Sequence, residues 1–234
     1  MYVEDLKQAL RRIGPVFVQI YGQGETPMTA TYLRREDHVL EGAEAARLAS
    51  CGHARSGLEV RVLDEQDREL PRGQTGQLCV RGPSVMKGYW ERPEETAETL
   101  RGGWLHTGDV GYMDDHGYAY ILDRTKDMII SGGANVYPRE VEEVLLRHPD
   151  VSEACVVGVP NEVWGEAVKA LVVLRPGATA SQEALTRFVG ERLADYKKPK
   201  SVDFLEEIPK NAYGKVLRRE LRARYRERHT RVPH

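Results

Sequence analysis

Several side chains stand where their charge can act on a ligand. Lys215 follows Gly214 in a turn ahead of a basic helix. A long ammonium with an ordinary pKa of about 10.4 therefore projects from a flexible loop and can bridge two anions such as a carboxylate and a phosphate. Asp109 ends the turn Thr107-Gly-Asp109 at a strand end, where a carboxylate accepts from both hydroxyls of a ribose, as acidic residues do in other nucleotide sites. Arg124 offers a planar fork of donors to the same ribose or to a phosphate. Each has a plain alternative: a solvated surface lysine, an aspartate in a hairpin turn, and an arginine in a structural ion pair.

The elements that must position these groups fall into two textures. The chain opens with an amphipathic helix whose apolar face is Val3, Leu6, Leu10 and Ile13, stopped by Gly14-Pro15. The run Val16-Phe-Val-Gln-Ile20 reads as a strand buried on both faces of a parallel sheet. From about Glu59 to Leu122 come short alternating strands, 58–63 and 76–81, and a hairpin around Asp114-Asp-His-Gly117. Together they predict a small antiparallel barrel or bent sheet. After Arg124, helices and strands alternate. Pro138 starts a helix with the buried stripe Val141, Val144 and Leu145, and Pro149 forbids its continuation. Strands are expected at 154–159, 167–174 and 201–205. Ser181 caps a helix facing inward with Leu185, Phe188, Val189 and Leu193, and a last helix from near Val216 carries Leu217, Leu221 and Tyr225. The fold class is thus α+β, with a domain boundary at 123/124.

Composition sets outer limits. The chain has 234 residues and a net charge of -2, which recommends neither nucleic acid nor an anionic membrane as partner. Cys51, Cys79 and Cys155 are scattered, with no spacing that would hold zinc or a disulfide framework. No apolar run approaches the roughly 20 residues of a membrane span, and no signal peptide is evident, so the cytoplasm is the default location. The arginine-rich tail from Arg218 to Arg231 is interleaved with Glu220 and Glu227, the texture of an exposed helix.

Three strings in order are more specific than any single residue: Trp104-Leu-His-Thr-Gly-Asp109, the run from Asp123-Arg-Thr-Lys-Asp-Met-Ile-Ile-Ser-Gly-Gly133 through Tyr137-Pro-Arg-Glu-Val-Glu142, and Pro209-Lys-Asn-Ala-Tyr-Gly-Lys215. Together they resemble the signature of the adenylate-forming acyl-CoA synthetases, over essentially the whole chain from Tyr21 to Leu221. The Ser/Thr/Gly-rich phosphate loop of that family has no counterpart here, so the chain is read as the C-terminal part of a longer ligase. The resemblance implies residues 1–123 as the remainder of the large domain, with a barrel-like subdomain, and 124–234 as a small mobile α+β domain.

It also implies roles. Lys215 is the adenylation lysine, and Asp109 and Arg124 hold the ribose. Lys126 is the hinge about which the small domain turns between adenylate-forming and thioester-forming poses. Tyr21-Gly-Gln-Gly-Glu25 is similar to the family's Tyr-Gly-x-Thr-Glu, in which Tyr21 flanks adenine, Gly22 lines the nucleotide and Glu25 helps hold Mg²⁺. Gly24 replaces the threonine whose hydroxyl contacts phosphate, which leaves that contact to a backbone N–H, to Thr26, or to nothing. Gly132 and Gly133 face the CoA arm, where a narrow pantetheine passes only a bare backbone. Trp164 and the run Tyr196-Lys197-Lys198-Pro199-Lys200 are read as a core tryptophan and solvated lysines. The implied substrates are ATP, with Mg²⁺, CoA and a fatty or aryl carboxylic acid. Missing N-terminal subdomains are the implied protein partner, and a homodimer is allowed. The competing reading is a non-enzymatic interaction module or a truncated nucleotide- or CoA-binding unit.

Overall fold

A computed structural model describes residues 1–212 and 214–230. It divides into two compact units, Met1–Lys126 and Asp127–His234.

The first unit begins with helix α1 (Val3–Ile13), which carries Glu4 and Asp5 in its first turn and Arg11 and Arg12 in its last, the charge order that suits the helix dipole. Leu6 and Leu10 are buried against Leu48, but Ile13 is 62% exposed, so the apolar face ends one turn earlier than its spacing predicts. Strands β1 (Gln19–Gln23), β2 (Thr26–Leu33) and β3 (His53–Ala54) form an antiparallel sheet with β1 at its edge. This corrects the expectation of a doubly buried parallel strand at 16–20. Val16, Val18 and Ile20 are 59%, 55% and 50% exposed, whereas Phe17 packs beside α1 and Tyr21 joins the unit's core. The run alternates with period two, one face in and one face out, because only one layer covers it among the described residues.

Strands β4 (Glu59–Leu63) and β5 (Gly76–Arg81), helix α2 (Pro93–Thr99), and strands β6 (Leu105–Met113) and β7 (Ala119–Arg124) follow. The four strands pair as an antiparallel meander, β4-β5-β6-β7. Val60, Val62, Leu78, Val80 and Leu105 cluster with Ala30 of β2, so both sheets share one core. A bridge from Gly52 to Ala119 ties the chain before β3 to β7. Gly52 sits at φ +85 with a hypothetical Cβ only 1.9 Å from the Tyr32 carbonyl oxygen, a position no other residue fits. The result is the bent antiparallel arrangement expected, open rather than closed into a barrel. The β6–β7 turn is held by Asp114, whose Oδ1 accepts from the amides of His116 and Tyr118.

In the second unit β8 (Ile129–Ser131) and β9 (Ala134–Val136) make a hairpin turned by Gly132 and Gly133, both at positive φ. Then come α3 (Pro138–Leu145), the long hairpin β10 (Val151–Asn161) and β11 (Gly165–Leu174), α4 (Gln182–Gly190), β12 (Ser201–Phe204) and α5 (Arg218–Thr230). The order is β10-β11-β8-β9, with β12 parallel to β11 and β10 at the edge. Side chains of β10 alternate between two layers. Ala154 and Val156 join Val141, Val144 and Leu145 of α3 and Leu185 and Val189 of α4, while Cys155 and Val157 join Leu221 of α5. Ser181 caps α4 by accepting from the Ala184 amide at 3.2 Å. Helix α5 starts at Arg218, close to the expected position, just past Val216, which is bridged to Lys210.

Candidate active site

The β1–β2 turn and the β6 bulge form the walls of one pocket in the first unit. The pairing of β1 with β2 slips between Tyr21 and Gln23, and that of β5 with β6 slips between Gln77 and Cys79. Such irregularities re-aim side chains that a regular ladder would hold in register. The pocket, about 390 Å³, is lined by Gly22, Gln23, Gly24 and Glu25 on one side and by Thr107, Gly108, Arg124, Thr125 and Lys126 on the other. Gly22 is required by the turn itself, since a Cβ would lie 2.5 Å from the Met28 amide nitrogen.

Asp109 stands behind this wall, 5% exposed. Its Oδ2 accepts from the Tyr21 hydroxyl at 2.6 Å and from Gln23 Nε2 at 2.8 Å, and its Oδ1 lies 3.4 Å from Arg124 Nε. Gln23 Nε2 also donates to the Thr107 carbonyl at 2.8 Å. Burial, and then the charge of Asp109, push the Tyr21 phenol far above its usual pKa, so it remains a donor at any working pH. The sequence-derived residues Tyr21, Asp109 and Arg124 thus meet in one network, with the aspartate more enclosed than a free ribose acceptor would be. Gln23 is the site residue that sequence reasoning passed over. Its place inside the Tyr21–Glu25 string was the available signal.

Glu25 lines the pocket, and its Oε1 accepts from the Tyr89 hydroxyl at 2.7 Å. That hydrogen bond, more than burial, raises the Tyr89 phenol above its ordinary pKa. No cluster of three or more His, Cys, Asp or Glu able to hold a metal occurs among the described residues. One carboxylate on a pocket rim fits a Mg²⁺ carried mainly by ligand phosphates and water, and does not fit an all-protein cage. Gly24 has open space where a Cβ would stand, whereas Thr26 is fully buried with its hydroxyl 3.2 Å from Ser84 Oγ, outside the pocket lining.

The other predicted residues belong to the second unit. A Cβ on Gly132 would lie 2.6 Å from Cε3 of Trp164, and the Gly132 amide donates to the Trp164 carbonyl at 2.9 Å. Packing of the tryptophan on the bare backbone explains Gly132. Gly133, at φ +81, faces open space. Trp164 is 44% exposed, not a core residue, and Lys200 Nζ lies 5.2 Å from its ring centre. Lys197 pairs with Glu140, and Lys198 with Asp195. Lys215 is exposed on a tight hairpin. Asn211 braces that turn, its Oδ1 accepting from the Lys215 amide at 2.9 Å and its own amide donating to the Lys215 carbonyl at 2.8 Å.

Residues 2–90 match the AMP-binding enzyme family, and residues 140–215 match the AMP-binding enzyme C-terminal domain. The chain belongs to the AMP-binding enzyme family. It is 44% identical to the medium/long-chain-fatty-acid–CoA ligase FadD8 of Mycobacterium tuberculosis, over 95% of this chain and 39% of that protein. It is 46% identical to the 2-succinylbenzoate–CoA ligase of Geobacillus kaustophilus, over 93% of this chain and 43% of that protein. The ATP-bound structure of MatB from Rhodopseudomonas palustris superposes with a TM-score of 0.88 at 37% identity, over 97% of this chain and 44% of that one. The chain therefore spans less than half the length of these relatives. No helix among the described residues is long and apolar enough to cross a membrane.

Proposed function

We propose that this chain acts as the C-terminal part of an ATP-dependent acyl-CoA ligase, which joins a fatty or aryl carboxylic acid to AMP and then transfers the acyl group to CoA. The pocket that gathers Arg124, Gln23 and Glu25 in front of the Tyr21–Asp109 pair carries this reading. In it Arg124 and Asp109 orient the ribose, Gly22 and Tyr21 border the nucleotide, and Glu25 shares a Mg²⁺ with the phosphates. That ion would neutralise phosphate charge as the adenylate forms. Lys215 supplies a mobile cation for the charge spread over carboxylate and α-phosphate in the transition state. Gly133, with open space above its backbone, borders the pantetheine arm, beside Trp164 and Lys200. Lys126, at the junction of the units, is the hinge.

The boundary of the large domain falls close to this lysine in the same reading. The exposed stripe Val16, Val18 and Ile20 supports a docking face for the N-terminal subdomains of such a ligase, which would supply the phosphate loop; a homodimer contact is the other way to cover it. A cytoplasmic setting follows from the supply of ATP and CoA. Calorimetric titration of the 234-residue chain with ATP·Mg²⁺, AMP and CoA, beside a ligase-length polypeptide carrying it, tests the reading. Binding by the longer protein alone makes this chain half of a ligase. Absence of binding by both refutes it.

A further inference from the structure

Glu142 is fully buried on α3 although it is charged, which demands a compensating partner. It has one. Arg218, the first residue of α5, donates Nη2 to Glu142 Oε2 at 2.7 Å, and its Nη1 lies 2.6 Å from Oε1. The same two side chains clasp the backbone of Val156 on edge strand β10. The Val156 amide donates to Glu142 Oε1 at 2.7 Å, and the Val156 carbonyl accepts from Arg218 Nη1 at 2.9 Å. Because α3 and α5 pack on opposite faces of β10, the pair wraps the strand's free edge and satisfies there what a further strand would satisfy.

We propose that Glu142 and Arg218 are positioning residues for Lys215: a latch that fixes the base of the Lys215 hairpin on strand β10. The hairpin's outer arm is tied to the same strand by Lys210, whose Nζ lies 2.6 Å from Glu153, but both of those side chains are more than a third exposed, and such pairs contribute little. The inner arm runs through the Leu217 amide, which donates to the Pro209 carbonyl at 3.0 Å, directly into Arg218. Fixing Arg218 fixes where the hairpin leaves the unit, while the turn at Gly214 keeps the lysine side chain in solvent. A buried ion pair is a poor device for raw stability but a good one for selecting a single arrangement.

The inference rests on the reading of Lys215 as the adenylation lysine, yet its test need not. NMR-detected hydrogen exchange on the 234-residue chain reads the amides of Asn211, Lys215 and Leu217 directly. Arg218→Lys, which keeps the charge and loses the fork, and Glu142→Gln are expected to speed exchange at those amides about tenfold or more, relative to β11. Leu185→Ala, which opens a cavity on the α4 side, serves as the control and should speed the unit evenly. Exchange that rises evenly in the latch variants, or not at all, overturns the proposal. If Glu142→Gln fails to fold, Arg218→Lys decides. In a ligase-length polypeptide, Arg218→Lys should slow adenylate formation and spare thioester formation from preformed acyl-adenylate. Loss of neither step with Lys215→Ala would retire the role of Lys215 and leave the latch standing.

Discussion

Tyr21→Phe removes one oxygen and no packing, which isolates the hydrogen bond behind the pocket lined by Gly22, Glu25 and Arg124. Asp109 is 5% exposed and takes the Tyr21 hydroxyl at 2.6 Å, so its loss leaves a buried carboxylate oxygen with Gln23 as the remaining donor named on that atom. Hydrogen bonds to charged groups contribute about 1.5–3 kcal/mol, and the enclosed site puts this one toward the upper half of that range. In an Asp109→Asn background the acceptor is neutral, and the same tyrosine change should cost about 1 kcal/mol, the figure for an uncharged bond. The coupling is therefore about 1–2 kcal/mol by difference. Urea unfolding of the four proteins, followed with probes placed in each unit, measures it. Two probes are required because a chain of two units need not unfold in one step. A coupling below about 0.5 kcal/mol, within the scatter of independent sites, would refute the view that the phenol holds the aspartate.

Lys215→Ala in a ligase-length polypeptide should abolish adenylate formation while leaving thioester formation from preformed acyl-adenylate intact, and equal loss of both steps would sink its assigned role. Gly132 and Gly133 should part company. Gly132→Ala meets Trp164 at 2.6 Å and a φ of +59, so a loss of about 1–2 kcal/mol from backbone handedness alone is expected in thermal melts. Gly133→Ala, with open space around it, should carry only that backbone cost in the melts, and a bulky residue there should block CoA transfer selectively. Burial, with Arg101 adding to it and Asp67 opposing it, holds the His106 pKa below its ordinary value. The unfolded chain then binds the proton more readily, so stability is full above about pH 6.5 and falls as the pH drops through the unfolded-state value. His106→Gln should flatten that limb in unfolding measured from pH 7 to pH 5, and an unchanged limb would assign it to other groups. Gln23→Leu should weaken AMP binding by a ligase-length protein, since it removes the donor that Asp109 Oδ2 takes beside Tyr21 and that the Thr107 carbonyl shares.

Much of the second unit was legible. Ser181 before a 3.6-periodic stripe, Pro138 at a helix start, and the apolar runs that became β10 and β11 are local signals whose physics acts within one turn or one strand. The run Val16–Ile20 was less so. Consecutive apolar residues report how much could be buried, not how many layers arrive to bury it, and here one face is bare. Trp164 was misplaced for a related reason, because an aromatic beside a glycine looks the same from either side of a core boundary. Glu142 gave no sign of being buried, since it lies in the charged run Arg139-Glu-Val-Glu-Glu143.

The sequence by itself determined the family, through the order and spacing of its chemical strings, and it placed the candidate cation Lys215, the aspartate Asp109 and the arginine Arg124, because residue type limits which groups can carry charge. Only the tertiary structure decided how these groups are spent. It turned Asp109 inward onto Tyr21 and Gln23, paired Glu142 with Arg218 across a strand edge, and gave Gly132 to a tryptophan ring. Those outcomes join residues far apart along the chain, and an interaction between distant segments takes its energy from the solvent and neighbours that folding removes or supplies, which no local pattern records.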